Sequence, residues 1–406
     1  MGHSSASSRE PSEFRASQVP GPSAPVDCGP LLPLSPPLCP ASVYGSHSID
    51  QVEAVLAGEV PGMVYSRLQH PNAVQLARAC ATLHRAAEAV VTSSGMAALA
   101  LVALALGFPG RALAAARFLY GHTSVLLEEQ LARWGVPVLR FDPAREEELE
   151  AVLQQRPGML WVETISNPQL QVVDLAHLAR QCRQGDVLLV VDNTFASPHV
   201  CRPLELGADL VVESLTKVLS GHSDVMLGVV CARDAQLGRQ LLQACALWGW
   251  TPSPWDCWLT LRGMATAELR IRQACHNALL LARRLAQAEC VRRVHYPALE
   301  GDPARRLVQT QFQDGRGGHM VTCTFAGGRE QAQRFLDAAG LLVVPSLGDV
   351  HTTVSHPATS SHRQFSPQQR RSWGIEEGTL RFSVGVEPSE ELLVRVHRGL
   401  QAASGR

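Results

Sequence analysis

Lysine is almost missing from this chain: of its 36 basic side chains one, Lys217, is a lysine and the other 35 are arginines. Aromatic residues are sparse as well, at 5% with four tyrosines. No apolar run reaches the roughly 18 residues of a membrane span, and the amino terminus lacks the charged-then-apolar order of a secretory signal. Net charge is nearly absent too, at -1, which leaves no electrostatic footprint for nucleic acid or an anionic membrane. Any phosphate bound here should therefore belong to a small ligand. The eleven cysteines include no Cys-x-x-Cys pair, and their odd number argues against a closed disulfide framework. They read as reduced core thiols of a cytoplasmic protein that has a small-molecule partner and no metal.

What is present is a large apolar fraction, 46% of 406 residues. Single cores stop growing near ~250 to 300 residues, so two domains are expected. The boundaries predicted are a tail and arm at 1–60, a large domain at 61–260 and a smaller C-terminal α/β domain at 261–406. Residues 1–27, rich in Ser, Pro and Arg, read as disordered or a loose arm. From 29 to 44 the chain is apolar but broken by prolines at 30, 33, 36, 37 and 40, which suits an extended arm. A short helix at 49–57, a loop at 64–72 and a helix at 73–85 follow.

Short apolar runs then alternate with helical stretches, the pattern of a mostly parallel sheet covered on both faces. The runs at 89–91, 160–162, 187–191 and 210–212 each stop at a polar cluster, and an alanine-rich stretch at 96–108 reads as a buried helix. Ligands of open parallel sheets bind beyond the carboxyl ends of the strands, so these clusters should converge on one crevice. A long helix is expected at 255–288 with its arginines on the wet face. Strands at 291–295, 319–325, 341–344 and 379–384 and helices at 329–339 and 389–402 should build the second domain.

The lone lysine stands in Ser214-Leu215-Thr216-Lys217-Val218-Leu219-Ser220-Gly221-His222-Ser223-Asp224. Arginine replaces lysine wherever only positive charge is needed, but it does not lose its proton and cannot serve as an amine nucleophile. Compositional bias with a chance survivor is the bland alternative. Flanking hydroxyls at Ser214 and Thr216 favour covalent chemistry with a phosphate-bearing aldehyde cofactor. Such a cofactor, pyridoxal 5'-phosphate, makes further demands. A carboxylate must pair with its pyridine nitrogen, and Asp192 ends the most apolar run. Its phosphate needs backbone N-H groups at a helix start, which Ser94-Gly95-Met96 offers. An aromatic partner for the ring is available in Tyr120. Taken singly, a turn aspartate, a helix cap and a core tyrosine would explain these three equally well.

Together these residues resemble the pyridoxal-phosphate enzymes of cysteine and methionine metabolism, which include cystathionine γ-lyase, cystathionine γ-synthase and methionine γ-lyase. The resemblance runs from about residue 28 to 400. Its most specific part is Ser-x-Thr-Lys-x-x-x-Gly-His-x-Asp at 214–224. Ser-Ser-Gly-Met-Ala-Ala at 93–98, Tyr-Gly-x-Thr at 120–123, Glu-Thr-x-Ser-Asn-Pro at 163–168, Val-Asp-Asn-Thr-Phe at 191–195, Ser-Leu-Gly at 346–348 and Arg-Phe-Ser-Val-Gly at 381–385 support it.

The resemblance implies fold-type I, the aspartate-aminotransferase-like architecture, and a homotetramer built as a dimer of dimers. It implies that Lys217 anchors the cofactor and shuttles protons, that Asp192 pairs with the pyridine nitrogen, that Tyr120 stacks on the ring and that Asn167 bonds its phenolic oxygen. Gly95, Met96, Ser214 and Thr216 would hold the phosphate, with Tyr65 and Arg67 reaching it from a neighbouring subunit, while Arg381 and Ser346 would bind the substrate α-carboxylate. The implied activity is γ-elimination on a sulfur-containing or γ-substituted amino acid such as cystathionine or methionine, in transsulfuration-type metabolism. Replacement on an O-acyl homoserine, β-elimination, and a non-catalytic relative that only binds are the alternatives. The chain departs from the family pattern at Gln69 to Asn72, His122, Pro345 and His351, and these positions are expected to set the substrate.

Overall fold

The computed structural model describes residues 33–107 and 110–405. The tail expected at 1–27 and the end of the apolar stretch at Phe108 lie outside them. Two compact units divide at residue 37, and the described part of the first, 33–37, carries no helix or strand.

The second unit, 38–406, holds two sheets. The first comprises β1 (Glu88–Thr92), β2 (Leu113–Ala116), β3 (Val138–Phe141), β4 (Met159–Glu163), β5 (Leu188–Asp192), β6 (Leu210–Ser214) and β7 (Gly228–Ala232), in the order β1-β7-β6-β5-β4-β2-β3. The pairs from β3 through β2, β4 and β5 to β6 are parallel, and β7 alone runs against its neighbours. Strands β4 and β7 are buried at every residue, as expected where helices cover both faces of a sheet. The alanine-rich stretch forms the helix Gly95–Ala105, which buries Ala98, Leu101 and Val102 completely and is apolar around most of its circumference.

The second sheet contains β8 (Val291–His295), β9 (Met320–Phe325), β10 (Leu342–Val343), β11 (Thr353–Ser355) and β12 (Thr379–Ser383), ordered β10-β11-β12-β9-β8. It packs beneath the helices Gly328–Ala339 and Ser389–Ala403 around Phe325, Phe335 and Phe382, whose rings lie 5.1 and 5.9 Å apart in sequence of contact. This core is distinct from the one around the first sheet.

Three expectations are corrected. The loop expected at 64–72 ends at His70, because Pro71 and Asn72 already form the first turn of the helix Pro71–His84, a position that suits proline. The helix expected at 255–288 is two helices, Pro254–Met264 and Ala267–Ala286, separated at Thr266 with φ -115°. The break has a tertiary cause. Gly263 is pressed on the Ser220 carbonyl, 2.3 Å from where a Cβ would stand. Arg270, expected on the wet face with the other arginines, is instead 9% exposed and donates to the carbonyls of Val218 (2.8 Å), Leu219 (2.8 Å) and Gly263 (2.7 Å). The third correction is β11, a strand with no counterpart among those expected.

Candidate active site

Strands β1, β4, β5 and β6 all end at the same edge of the first sheet, and the last residues of β4, β5 and β6 (Glu163, Asp192 and Ser214), with Ser94, Gly95 and Met96 just after β1, line one cavity of about 520 Å³. Lys217, Asp192, Ser214, Thr216, Gly95, Met96, Tyr120, Asn167 and Arg381 all face it. The antiparallel strand β7 starts at this edge with Gly228, where the Ser94 carbonyl lies 2.3 Å from the position of a Cβ, so only glycine fits.

Lys217 sits on a turn whose following carbonyls are held by Arg270. Its Nζ donates to Ser346 Oγ at 2.8 Å. Burial, followed by the charge of Arg381, draws its ammonium down to about pKa 8. The free amine is therefore far more available near neutral pH than on an ordinary lysine, as a nucleophile or base requires. Ser346, expected on the substrate carboxylate, thus holds the lysine amine in the chain itself.

Asp192 Oδ1 accepts the Thr194 backbone N-H at 2.9 Å. Burial raises its pKa, and the contacts from Thr194 oppose this. The same Thr194 uses its hydroxyl to accept from Ser214 N at 3.0 Å, joining the ends of β5 and β6. Ser94 caps the helix Gly95–Ala105 by accepting from Ala97 N at 3.1 Å, leaving the Gly95 and Met96 N-H groups without intrahelical partners. A Cβ at Gly95 would lie 3.0 Å from Ser214 Oγ. Thr216 exchanges hydrogen bonds with the backbone of Leu227, donating at 3.2 Å and accepting at 3.0 Å.

Glu163, whose motif was recognised without a role, organises the opposite wall. Its carboxylate accepts the backbone N-H of both Tyr120 and Asn167, the latter at 3.0 Å. Burial, with Asp192 nearby, pushes its pKa well up. The Tyr120 phenol contacts His122 Nδ1 at 3.1 Å, and burial raises its pKa. Arg381 is 3% exposed, donates from Nη1 to Asn167 Oδ1 at 2.6 Å and stands over the Phe195 ring at 5.6 Å. Its Nε has no partner, and among the described residues no carboxylate stands at ion-pair distance. Burial draws its pKa down to about 10, so it stays charged at neutral pH.

Tyr65 and Arg67 do not face the cavity within one chain. They stay together, with the guanidinium 5.4 Å over the ring and bonded to the Ala246 carbonyl at 2.8 Å. Of the four departures expected to set the substrate, His122 and Pro345 line the cavity. The other two do not. His70 is fully buried, where it caps the helix Pro71–His84 through Ala73 N and contacts the Pro252 carbonyl. His351 is 78% exposed and bonded to Asp349. Glu163, Thr194 and Arg270 had no role foreseen, although the first two lie inside motifs already recognised.

A partly buried lysine, a carboxylate and a helix start sharing one edge of a largely parallel sheet define a pyridoxal-phosphate-dependent enzyme. The chain belongs to the Cys/Met metabolism PLP-dependent enzyme family, whose model matches residues 32–401. L-methionine gamma-lyase of Pseudomonas putida is 35% identical over 373 residues, covering 91% of this chain and 93% of its own. Cystathionine gamma-synthase of Escherichia coli K12 is 37% identical over 341 residues, covering 84% and 88%. The solved cystathionine gamma synthase of Xanthomonas oryzae pv. oryzae, in complex with cystathionine, superposes with a TM-score of 0.86 at 34% identity over 91% of this chain and 94% of that one.

The residues fit the cofactor. Gly95 leaves a cradle that a side chain would fill, two helix-start N-H groups and Ser214 Oγ stand beside it, and the Asp192 carboxylate, held by Thr194, lines the same cavity.

Proposed function

We propose that this enzyme catalyses γ-elimination on a sulfur-containing or γ-substituted amino acid such as cystathionine or methionine. The observation that carries the reading is Arg381, a buried cation lacking a carboxylate partner in the cavity that holds Lys217 and Asp192. A buried charge with no carboxylate at ion-pair distance is costly even with Glu163 near, and the α-carboxylate of an amino acid would complete the pair through a two-pronged hydrogen bond.

When bound, pyridoxal phosphate supplies the electron sink that stabilises negative charge at the substrate's Cα and Cβ. Gly95, Met96 and Ser214 hold its phosphate, Asp192 balances its ring nitrogen, Asn167 bonds its phenolic oxygen and Tyr120 covers its ring. Thr216, tied to Leu227, shapes the cradle. Lys217 would anchor the group covalently, and its free amine would carry a proton from Cα towards Cβ. Ser346 Oγ orients that amine, and Arg381 fixes the carboxylate so that the Cα proton faces it. The neutral Tyr120 phenol is placed to protonate a departing thiolate. Replacement on an O-acyl homoserine uses the same residues and differs in what arrives after the γ-substituent leaves.

Further parts of the reading rest on the resemblance. Tyr65, 42% exposed, and Arg67 are available to a second copy's phosphate, which supports a homotetramer of two dimers that share sites. The two sheets with separate cores support a large and a smaller unit, for which we keep the bounds 61–260 and 261–406, although Ala267, Ile271 and Cys275 pack in the first core. A cytoplasmic location is supported by free thiols at every described cysteine. No described helix is long and apolar enough to cross a membrane.

The test is to reconstitute the protein with pyridoxal phosphate and supply cystathionine, methionine, cysteine and O-acyl homoserines, scoring keto acid, ammonia and thioether. Elimination gives ammonia and keto acid, and Lys217→Ala should lose both these products and the visible absorbance of the lysine-held cofactor. Thioether formed without ammonia would replace elimination with γ-replacement.

A further inference from the structure

The charged groups of the cavity do not all have a role in the reading above. Lys217, Asp192 and Arg381 serve the cofactor and the α-carboxylate, and Glu163 holds backbone. Arg363 also lines the cavity and is exposed, and its guanidinium makes no hydrogen bond or ion pair with any described residue, the backbone N-H alone donating to the Ser360 carbonyl at 3.3 Å. Arg370 shows the contrast. It lies seven positions further on and is fully engaged, with Nη1 on the carbonyls of Ala358 (3.0 Å) and Phe365 (3.4 Å) and Nη2 on Glu377 (3.5 Å). One arginine builds the loop and the other is presented by it.

That loop is held on both sides of Arg363. His362 is 2% exposed and packs against Phe365 and Trp373 with centroids 6.0 and 6.4 Å away, while Phe365 meets Trp373 at 4.6 Å. Ser360 Oγ donates to the His356 carbonyl at 2.7 Å. On its other side the loop rests directly on Gly121, where a Cβ would stand 2.6 Å from the Ser361 carbonyl and 2.4 Å from Gln364 Nε2. The neighbouring residue His122 lines the same cavity. Among the described residues the acidic side chains lining it are Glu163 and Asp192, which belong to the strand ends, and Pro345 adds no charge. The wall formed by the loop is therefore positive or neutral.

We infer that Arg363 forms a second carboxylate subsite, and that the enzyme selects amino acids whose γ-substituent itself ends in a carboxylate. This rests on the proposed assignment of the α-carboxylate to Arg381, and it favours cystathionine or O-succinyl homoserine over methionine or O-acetyl homoserine. Guanidinium suits the task because its planar fork meets a carboxylate with two parallel N-H donors.

The test uses holoenzyme and two unreactive amino acids of equal chain length, L-2-aminopimelate, which ends in a carboxylate, and L-2-aminoheptanoate, which ends in a methyl group. Each is titrated against the cofactor's absorbance. Aminopimelate should bind at least about tenfold tighter, the gap expected from a charged hydrogen-bonded contact. Arg363→Ala should abolish that preference while moving aminoheptanoate by less than about twofold, and added salt should weaken aminopimelate alone. In turnover, the variant's KM for cystathionine should rise with kcat retained. Equal affinities in the parent, or a preference that survives Arg363→Ala, overturns the subsite and leaves the amino-acid site standing. If neither amino acid perturbs the absorbance, the amino-acid site itself falls and the subsite with it.

Discussion

At the scale of single residues, the site depends on groups held away from their ordinary ionisation. Lys217 is brought to about pKa 8 by burial and by Arg381, and Asp192 is raised by burial. The two shifts have different consequences. A lysine with a lowered pKa is ready to act as a base, whereas a buried carboxylate with a raised pKa awaits a cation. Asp192→Asn keeps the shape and the bond from Thr194 N while removing the charge. Its elimination rate should fall about a hundredfold or more with cofactor still bound, since fixed charge at a developing charge has effects of this size. Steady-state kinetics within about threefold of the parent would remove Asp192 from its role.

At the scale of elements, the turn after β6 is held by a helix from elsewhere in the chain. Arg270 gathers three carbonyls, two of them directly following Lys217. Arg270→Lys retains a charge but lacks the fork needed to reach all three. Unfolding in urea should show a loss of about 2 to 4 kcal/mol, the range for breaking a buried charged network. An unchanged midpoint would mean that the turn is held by other contacts.

The same region shows where sequence reasoning reached its limit. Apolar runs that end in polar clusters are local patterns, and they located the ends of β1, β4, β5 and β6 together with Lys217, Asp192 and Gly95. The break at Thr266 follows from the contact of Gly263 with Ser220 and from Arg270, two long-range interactions with no local signature. Strand β11 has three residues and exists through its pairing with β10 and β12. His351 and the segment from Gln69 to Asn72 stood out as departures from a family pattern, but a pattern does not say whether a residue faces the cavity. Burial and direction decided that.

At the scale of the molecule, buried and part-buried histidines tie stability to pH. His295, His319 and His362 are each held near pKa 4, first by burial and then by neighbouring arginines. The unfolded chain takes up protons below about 6.5 while the folded chain resists until about 4. These groups therefore remove stability as pH falls through that window, each by about 2 kcal/mol at pH 5. Buried Glu163, Asp192 and Glu213 have raised values and act in the opposite sense. Variants must separate the two contributions: between pH 7 and 5, His319→Asn should lose less melting temperature than the parent. An identical slope would remove His319 from the account.

Assembly is also tested at this scale. Lys217→Ala and Arg67→Ala should each be inactive alone, yet after mixed refolding they should regain roughly a quarter of parental activity if subunits complete one another's sites. No recovery would confine each site to one chain.

The solitary lysine has a practical consequence. Besides the amino terminus, this protein offers an acylating reagent a single amine, and that amine lies inside the cavity. Labelling stoichiometry measured by intact mass thus reports one compartment without separation of peptides. Protection by pyridoxal phosphate, and the rate at which protection is lost on dilution, would give cofactor residence time from a single peak.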